Sequence, residues 1–474
     1  MAIIKRFAPA IKRVTWIAGV SALLLLDTGN PCLASDSGVI DAPPAIGFSD
    51  DRPRPDTPVP VTIDRPAGGF QLIRGGQPYF IKGVGGRQHL DMAAAAGANS
   101  VRTWDSHDAG SVLKQAGDQG MTAMLGIWLS HDPSDYLDPV YRDQKTKEVQ
   151  GLLDNHKNHP ALLIWALGNE IDLEGADTPA AWEFVNDLAG RIKRQDPNHP
   201  VISVITANAG TLNNIATYAP DLDAVGINAY GALSGVRRMM EGTVYQGPYI
   251  ITEWGVDGHW EAQRTVWGRP IEPTSAEKGD IHLRRYGKDI LANRDRCLGS
   301  YVFLWGQKQE RTPTWYSMFI ENFHGVDLPD AACPTVDAMQ FNWSGGWPSN
   351  QAPRVDEMTI NGIIAGGDVK LTPGEPFVAH VSAADPDNDG LRFFWELMTE
   401  PTVLGIGGSH EPRPDALDHV PDGRLPQLNL SAPERAGDYR LFVYVLDQNG
   451  RVGTANIPFQ VGAPADPQSS SSGG

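Results

Sequence analysis

The chain has 474 residues, 41% hydrophobic and 20% charged, an ordinary globular balance with room for two or three domains, one of them of barrel size. Its formal net charge of −18 argues against nucleic acid or an anionic membrane surface as partner, since both require a basic footprint. No Cys/His spacing of the zinc type, phosphate-binding loop or nucleophile elbow is present, and Gly83-Val-Gly-Gly86 lacks the third glycine of a nucleotide loop.

Lys5, Arg6, Lys12 and Arg13 precede an apolar run over 14–26 that is too short to span a bilayer comfortably, and the small residues of Cys32-Leu-Ala34 lie before Ser35. Residues 1–34 therefore predict a secretory signal and an exported protein, periplasmic or extracellular, with an uncleaved anchor as the alternative. Asn30-Pro31 ahead of Cys32 does not suit a lipoprotein signal. Residues 35–60, rich in Pro, Asp and Ser, predict a solvated linker. A strand and hairpin follow over 61–83. Candidate strands at 80–84, 100–103, 122–128, 162–167, 201–204, 224–228, 249–253 and 301–305 then alternate with helical segments, which predicts a parallel (β/α)₈ barrel within 61–350. The helix before the fifth strand is the clearest: Thr178-Pro179 starts it, and Phe184, Val185, Leu188 and Ile192 share one face. Residues 306–350, with Trp315, Tyr316, Trp343 and Trp347, lack a period and predict a long loop over the barrel mouth.

After Pro353 the pattern changes to alternation. Phe377, Ala379 and Val381 form one stripe, Leu391, Phe393, Trp395 and Leu397 a second, and Tyr439, Leu441, Val443 and Val445 a third, followed by the hairpin signal Asp447-Gln-Asn-Gly450. These predict an antiparallel β-sandwich over 351–463, with a disordered tail at 464–474. Asp385-Pro-Asp-Asn-Asp389 is either a calcium-binding turn or a plain strand connection.

The chemistry concentrates in two segments, Leu167-Gly-Asn-Glu170 and Ile251-Thr-Glu-Trp-Gly255. Each sets a glutamate at the end of a continuously apolar run, the pattern of a parallel strand buried on both faces. In a (β/α)₈ barrel those strand ends form the catalytic face. Two carboxylates across that mouth are the apparatus of glycoside hydrolysis.

Asn169-Glu170 and Glu253 resemble the acid/base and nucleophile motifs of clan A retaining glycoside hydrolases. The chain is similar to the family 2 barrel domain and, more loosely, to the β-1,3-glucanosyltransferases of family 72. The likeness runs from about Phe70 to about Trp305 through Phe80-Ile-Lys-Gly83, Ala98-Asn-Ser-Val-Arg-Thr-Trp104, Asn155-His-Lys-Asn-His-Pro160, Gly226-Ile-Asn-Ala-Tyr230 and Leu304-Trp305. Family 2 enzymes normally carry β-sandwiches ahead of the barrel, and this sequence has no room for them there. The C-terminal region resembles a PKD or cadherin-like immunoglobulin-type module.

The resemblance implies Glu253 as nucleophile, Glu170 as acid/base, and Asn169 as a ligand of the sugar 2-hydroxyl. It places Arg102 beside the nucleophile and makes Trp305 the floor of the sugar site. Tyr230 either donates to Glu253 or packs in the core. Trp104 and Trp128, with Trp254 and Trp260, either line sugar subsites or belong to the core, and His131 is either a hydroxyl contact or solvated. In an exported protein Cys297 and Cys333 are expected to pair as a disulfide, with two unpaired buried thiols as the alternative. The chemistry requires no cofactor. These features predict a retaining β-glycoside hydrolase acting on a β-linked glucan or its oligosaccharides. The alternatives are a β-glucanosyltransferase or a non-catalytic carbohydrate-binding or envelope scaffold protein.

Overall fold

A computed structural model describes residues 57–321, 331–405, 410–423 and 425–462. The expected signal, most of the linker and the tail lie outside the described residues.

Eight parallel strands close into a barrel: β4 (Ile81–Gly85), β5 (Ser100–Arg102), β6 (Thr122–Ile127), β7 (Leu162–Asn169), β8 (Val201–Thr206), β9 (Ala224–Asn228), β10 (Tyr249–Trp254) and β11 (Cys297–Val302). They are numbered after a small antiparallel sheet of β1 (Val61–Asp64), β2 (Gln71–Arg74) and β3 (Gln77–Pro78). That sheet sends Val61 and Leu72 into the cluster formed by Ile81, Met124, Ile164, Ile202, Ile250 and Tyr301 inside the barrel. Its backbone bonds to Asn198 and Asp295, just ahead of β8 and β11, so it plugs the N-terminal end of the barrel. The opposite end is left for chemistry.

One helix follows each barrel strand: α1 (Leu90–Ala95), α2 (Ala109–Asp118), α3 (Pro139–His156), α4 (Pro179–Gln195), α5 (Ala209–Tyr218), α6 (Val236–Glu241), α7 (Ser275–Arg285) and α8 (Pro334–Ser344). In α4 the Thr178 hydroxyl accepts from the Ala181 amide, Pro179 opens the first turn, and Phe184, Val185, Leu188 and Ile192 are buried, as their spacing predicts. The loop expected over 306–350 instead contains a two-stranded ribbon, β12 (Phe319–Ile320) with β13 (Ala331–Ala332), and then α8. Cys333-Pro334 begins that helix and Gly345, at φ 81, ends it.

The eighth strand also departs from expectation. It starts at Cys297 and ends at Val302, several residues earlier than its aromatic end suggests. Gly299 permits this, because a Cβ there would stand 2.4 Å from the Ile81 carbonyl oxygen. Cys297 belongs to the core between barrel and helices, whereas Cys333 belongs to a separate cluster beneath the C-terminal sheets. The disulfide considered from sequence does not form: both are buried free thiols.

The C-terminal region holds two sheets, one of β14 (Arg354–Ile360), β16 (Pro376–Ala384) and β19 (Gln427–Ser431), the other of β15 (Lys370–Leu371), β21 (Val452–Val461), β20 (Gly437–Leu446), β17 (Arg392–Thr399) and β18 (Ala416–Gly423). Phe377, Val381, Trp395, Leu441, Val443 and Phe459 join the two in one core. The second sheet is buried on its other face too. Phe394, Phe442, Tyr444 and Leu446 pack with Ile320, Ala331 and Cys333 of the barrel unit.

Polar ties fasten the same seam. Buried Arg440 donates to Glu400 (2.7 Å), Asn456 (2.7 Å) and the Pro270 carbonyl (2.9 Å). Buried Glu272 accepts from Lys278, Thr312, Thr314 and Asn456. Asp385 Oδ1 accepts the Asp387 and Asp389 amides, Asp447 accepts the Asn449 and Arg451 amides, and carboxylate oxygens of Asp385, Asp389 and Asp447 lie within 4.8 Å of one another, so both the strand connection and the cation turn stay open. Among the described residues no helix is long and apolar enough to cross a membrane.

Candidate active site

A cavity of about 1010 Å³ opens at the C-terminal end of the barrel strands. Glu170 and Glu253 both line it. Each sits beside an irregularity in its strand. The β7–β8 register shifts between Leu167 and Asn169, with Gly168 at φ 74 and Glu170 itself at φ 51. The β9–β10 register shifts between Ile251 and Glu253. Such bulges re-aim a side chain that regular pleating would bury or turn outward, and left-handed backbone at a non-glycine residue is uncommon.

Three donors converge on Glu253. Arg102 Nη1 reaches Oε1 at 2.8 Å, Trp104 Nε1 reaches Oε1 at 2.6 Å, and Tyr230 Oη donates to Oε2 at 2.8 Å. Burial, and then the Glu253 charge, hold the Tyr230 phenol well above its ordinary range, so it remains a donor. The Arg102 fork continues to Asn169, with Nη2 at 2.6 Å from Oδ1. Because arginine only donates, this bond fixes the orientation of the Asn169 amide. Asn228 completes the chain. Thr252 Oγ1 donates to its Oδ1 at 2.7 Å, which turns its Nδ2 toward Glu170 Oε1 (3.0 Å) and Asn169 Oδ1 (3.2 Å). One hydrogen-bonded chain thus runs Glu253, Arg102, Asn169, Asn228, Glu170.

The two carboxyl groups have different environments. Burial, and then repulsion from Glu253, push the Glu170 carboxyl up to about 7, against a smaller lowering from Asn228. Glu253 instead has a guanidinium, an indole N–H and a phenol at its oxygens. Glu170 is therefore disposed to carry a proton near neutrality, as a general acid requires.

Trp104, Trp128 and His131 also line the cavity. His131 Nε2 lies 2.9 Å from the Asn169 carbonyl, its ring 5.3 Å from that of Trp128. Trp305 does not line it. Its ring is fully buried, packs on Phe319 (5.2 Å) and Trp343 (5.9 Å), and donates to the His89 carbonyl at 3.1 Å. Because β11 ends early, Phe303 lines the cavity instead, its ring 5.8 Å from that of Trp104 and 5.9 Å from that of Tyr230. Trp254 is likewise core, against His282 and Tyr286, while Trp260 is exposed at the rim.

Sequence reasoning missed Asn228, although a polar residue ending the apolar run Ala224–Asn228 carries the same signal that marks Asn169. It also missed Lys308, Glu310 and Arg311, which line the cavity from the segment after β11. No periodicity marks them.

The fold is a closed parallel barrel with two carboxyls, joined by a hydrogen-bonded chain, on one cavity at its C-terminal mouth. Comparison with known proteins shows what it is similar to. Residues 112–262 match the family described as glycosyl hydrolases family 2, TIM barrel domain. The mannan endo-1,4-β-mannosidase F of Aspergillus clavatus is 21% identical over 242 residues, 44% of this chain and 53% of that protein. The β-glucuronidase of Paenibacillus borealis is 25% identical over 228 residues, 40% and 37% of the two. Among solved structures, the β-D-glucuronidase of Dictyoglomus thermophilum aligns with TM-score 0.46 and 18% identity over 60% of this chain and 53% of that one. The chain thus spans about half the length of the Aspergillus relative and of the Dictyoglomus enzyme. The matched segment includes both glutamates.

Proposed function

We propose that the protein is an exported, retaining β-glycoside hydrolase acting on neutral β-linked oligosaccharides. The observation that carries the reading is the pair Glu170 and Glu253 on one cavity, held by a single hydrogen-bonded chain and set in opposite environments. In the first step the Glu253 carboxylate attacks the anomeric carbon and displaces the leaving-group oxygen, which takes the Glu170 proton. In the second, Glu170 as carboxylate removes a proton from water, which attacks the same carbon and frees Glu253. Arg102, Trp104 and Tyr230 hold Glu253 in place through their hydrogen bonds. The Oδ1 of Asn169 is occupied by Arg102 and Asn228, so its Nδ2 is the group offered to the sugar 2-hydroxyl.

Both cations that line the cavity are already paired, Lys308 with Glu310 (2.6 Å) and Arg311 with Glu411 (2.7 Å), which favours a neutral sugar over an anionic one. β-Glucan is the substrate first expected, and the Aspergillus relative brings β-mannan beside it. Export is supported by the basic and apolar N-terminus, and the alternating stripes after Pro353 support an immunoglobulin-type module.

Azide rescue tests the mechanism. Glu253→Ala should lose turnover and recover it with azide, giving an α-glycosyl azide. Glu170→Ala should give a β-azide from activated substrates, because the covalent intermediate still forms. Exchanged products would reverse the roles, and net inversion by the wild type would end the retaining reading. Product analysis on β-glucans and β-mannans, with and without an acceptor sugar, separates hydrolysis from glucanosyl transfer.

A further inference from the structure

The C-terminal sheets reach the cavity itself. Glu411 belongs to the connection between β17 and β18, yet its side chain is fully buried and its carboxylate accepts from the barrel. Arg311 donates through its amide to Oε1 and through Nη1 to Oε2, both at 2.7 Å, and Gln309 Nε2 reaches Oε1 at 3.2 Å. A fourth donor is the Gly405 amide at 3.0 Å, and Gly405 is a wall residue of the cavity. Arg311 stands at φ 64, a left-handed conformation unfavourable for a residue with a Cβ. A fixed partner is needed to hold it there, and that partner comes from the C-terminal sheets.

The segment so held carries much of one side of the cleft: Phe303, Leu304, Lys308, Glu310 and Arg311. Contacts give its direction. Phe303 packs on Tyr230 and Trp104 at the Glu253 centre, Lys308 Nζ lies 5.6 Å from the Phe303 ring, and Arg311 with Gly405 follows further along the chain. The side chain of Glu253 bonds to Arg102, Trp104 and Tyr230, and Phe303 packs on two of these, whereas Arg311 and Gly405 line the cavity without bonding to Glu253.

We propose that Glu411 is a positioning residue for a distal sugar subsite, so that the C-terminal sheets determine preference for β-linked oligosaccharides over single-sugar glycosides. The inference rests on the hydrolase reading above. Arg311 and Lys308, each neutralised by a carboxylate, offer N–H donors to sugar hydroxyls without net charge, which suits a neutral chain. A rigid seam is required for this role, and Arg440, Glu272 and the apolar cluster beneath β20 supply one.

Steady-state kinetics test it. Wild type, Glu411→Gln and Arg311→Lys are assayed on aryl β-glycosides of one sugar and on β-glucan and β-mannan oligosaccharides of increasing length. For Glu411→Gln, KM on the longest productive substrate should rise about tenfold with kcat little changed, and the long-to-short ratio of kcat/KM should fall at least about fivefold. Equal losses on long and short substrates would mark Glu411 as a structural latch and overturn the inference, as would an unchanged ratio. If thermal denaturation shows Glu411→Gln unfolded at the assay temperature, Arg311→Lys, which keeps the charge and the backbone amide bond but loses the guanidinium contacts to Glu411 and the Gly405 carbonyl, is read by the same ratio. A wild type inactive on every substrate would sink the hydrolase reading and this inference with it. An active wild type with unaltered ratios in the variants sinks the inference alone.

Discussion

Glu170 occupies a place where a carboxylate is unfavourable, and the sign of that effect can be worked out. Its carboxyl titrates near 7 in the folded protein, raised first by burial and then by Glu253, against about 4.3 in an unfolded chain. Below the unfolded value both states hold the proton and Glu170 costs nothing. Between the two values the unfolded chain releases its proton while the folded one retains it. Above about 7 the full cost applies, on the order of 3 kcal/mol. Glu170→Gln should therefore melt a few degrees higher than wild type at pH 8, with the difference closing toward pH 4, as thermal scans across that range would read. In the active enzyme, kcat/KM should fall with an alkaline limb near pH 7 as the acid loses its proton. An alkaline limb unmoved below pH 9 would contradict the acid role.

At the level of strands and helices, much of the site depends on how closely neighbouring backbones approach. A Cβ on Gly126 in β6 would stand 2.5 Å from the Thr103 carbonyl oxygen and 2.5 Å from the Trp104 carbonyl carbon. Since Trp104 donates to Glu253, Gly126→Ala should destabilise by about 1–3 kcal/mol and lower kcat at least about tenfold. Gly151, inside α3 with nothing within 4 Å of its Cβ position, is the control. Gly151→Ala should gain about 0.5–1 kcal/mol and leave kcat alone. Denaturant melts and initial rates on the pair check both.

The same scale shows what the sequence reveals and what it hides. Apolar runs ending in Asn169-Glu170 and Glu253 are legible because a carboxylate at a buried strand end has few other reasons to be there. The register of β11 is not: Gly299-Ser300 weakens its apolar signal, so the sequence points to a later strand and to Trp305 at the cavity, where the structure has Phe303 instead. The interval 306–350 concealed α8 for a related reason. That helix is buried over Pro334–Met339 and has no polar stripe to reveal a period. In β20, Tyr439, Leu441, Val443 and Val445 showed one face, while Phe442, Tyr444 and Leu446 between them show a strand covered on both sides.

Across the molecule, that second covered face makes barrel and C-terminal sheets one object. Separating them would expose Phe442, Tyr444 and Ile320 and strip partners from Arg440, Glu272 and Asp337, which pairs with Arg451 at 2.7 Å. Breaking even one such buried pair from one side costs about 3–5 kcal/mol. Scanning calorimetry of the full chain should thus record one cooperative transition for both parts, and a chain ending near residue 350 should be insoluble or markedly less stable. Two resolved transitions would show that the seam is weaker than its contacts imply.

The two unpaired cysteines give the protein built-in clocks. Burial pushes both thiols up to about 12, so in the native fold they are neutral as well as shielded. An alkylating reagent reaches them only during an opening event. Cys297 lies between barrel and helices, and Cys333 lies under the C-terminal sheets. Their modification rates, separated by peptide mapping, time two different openings in one sample. Equal rates that track the global unfolding equilibrium across denaturant would mean the seam parts only when the barrel does. A faster Cys333 would reveal breathing at the seam between barrel and C-terminal sheets, in a region that a folded-state structure shows closed.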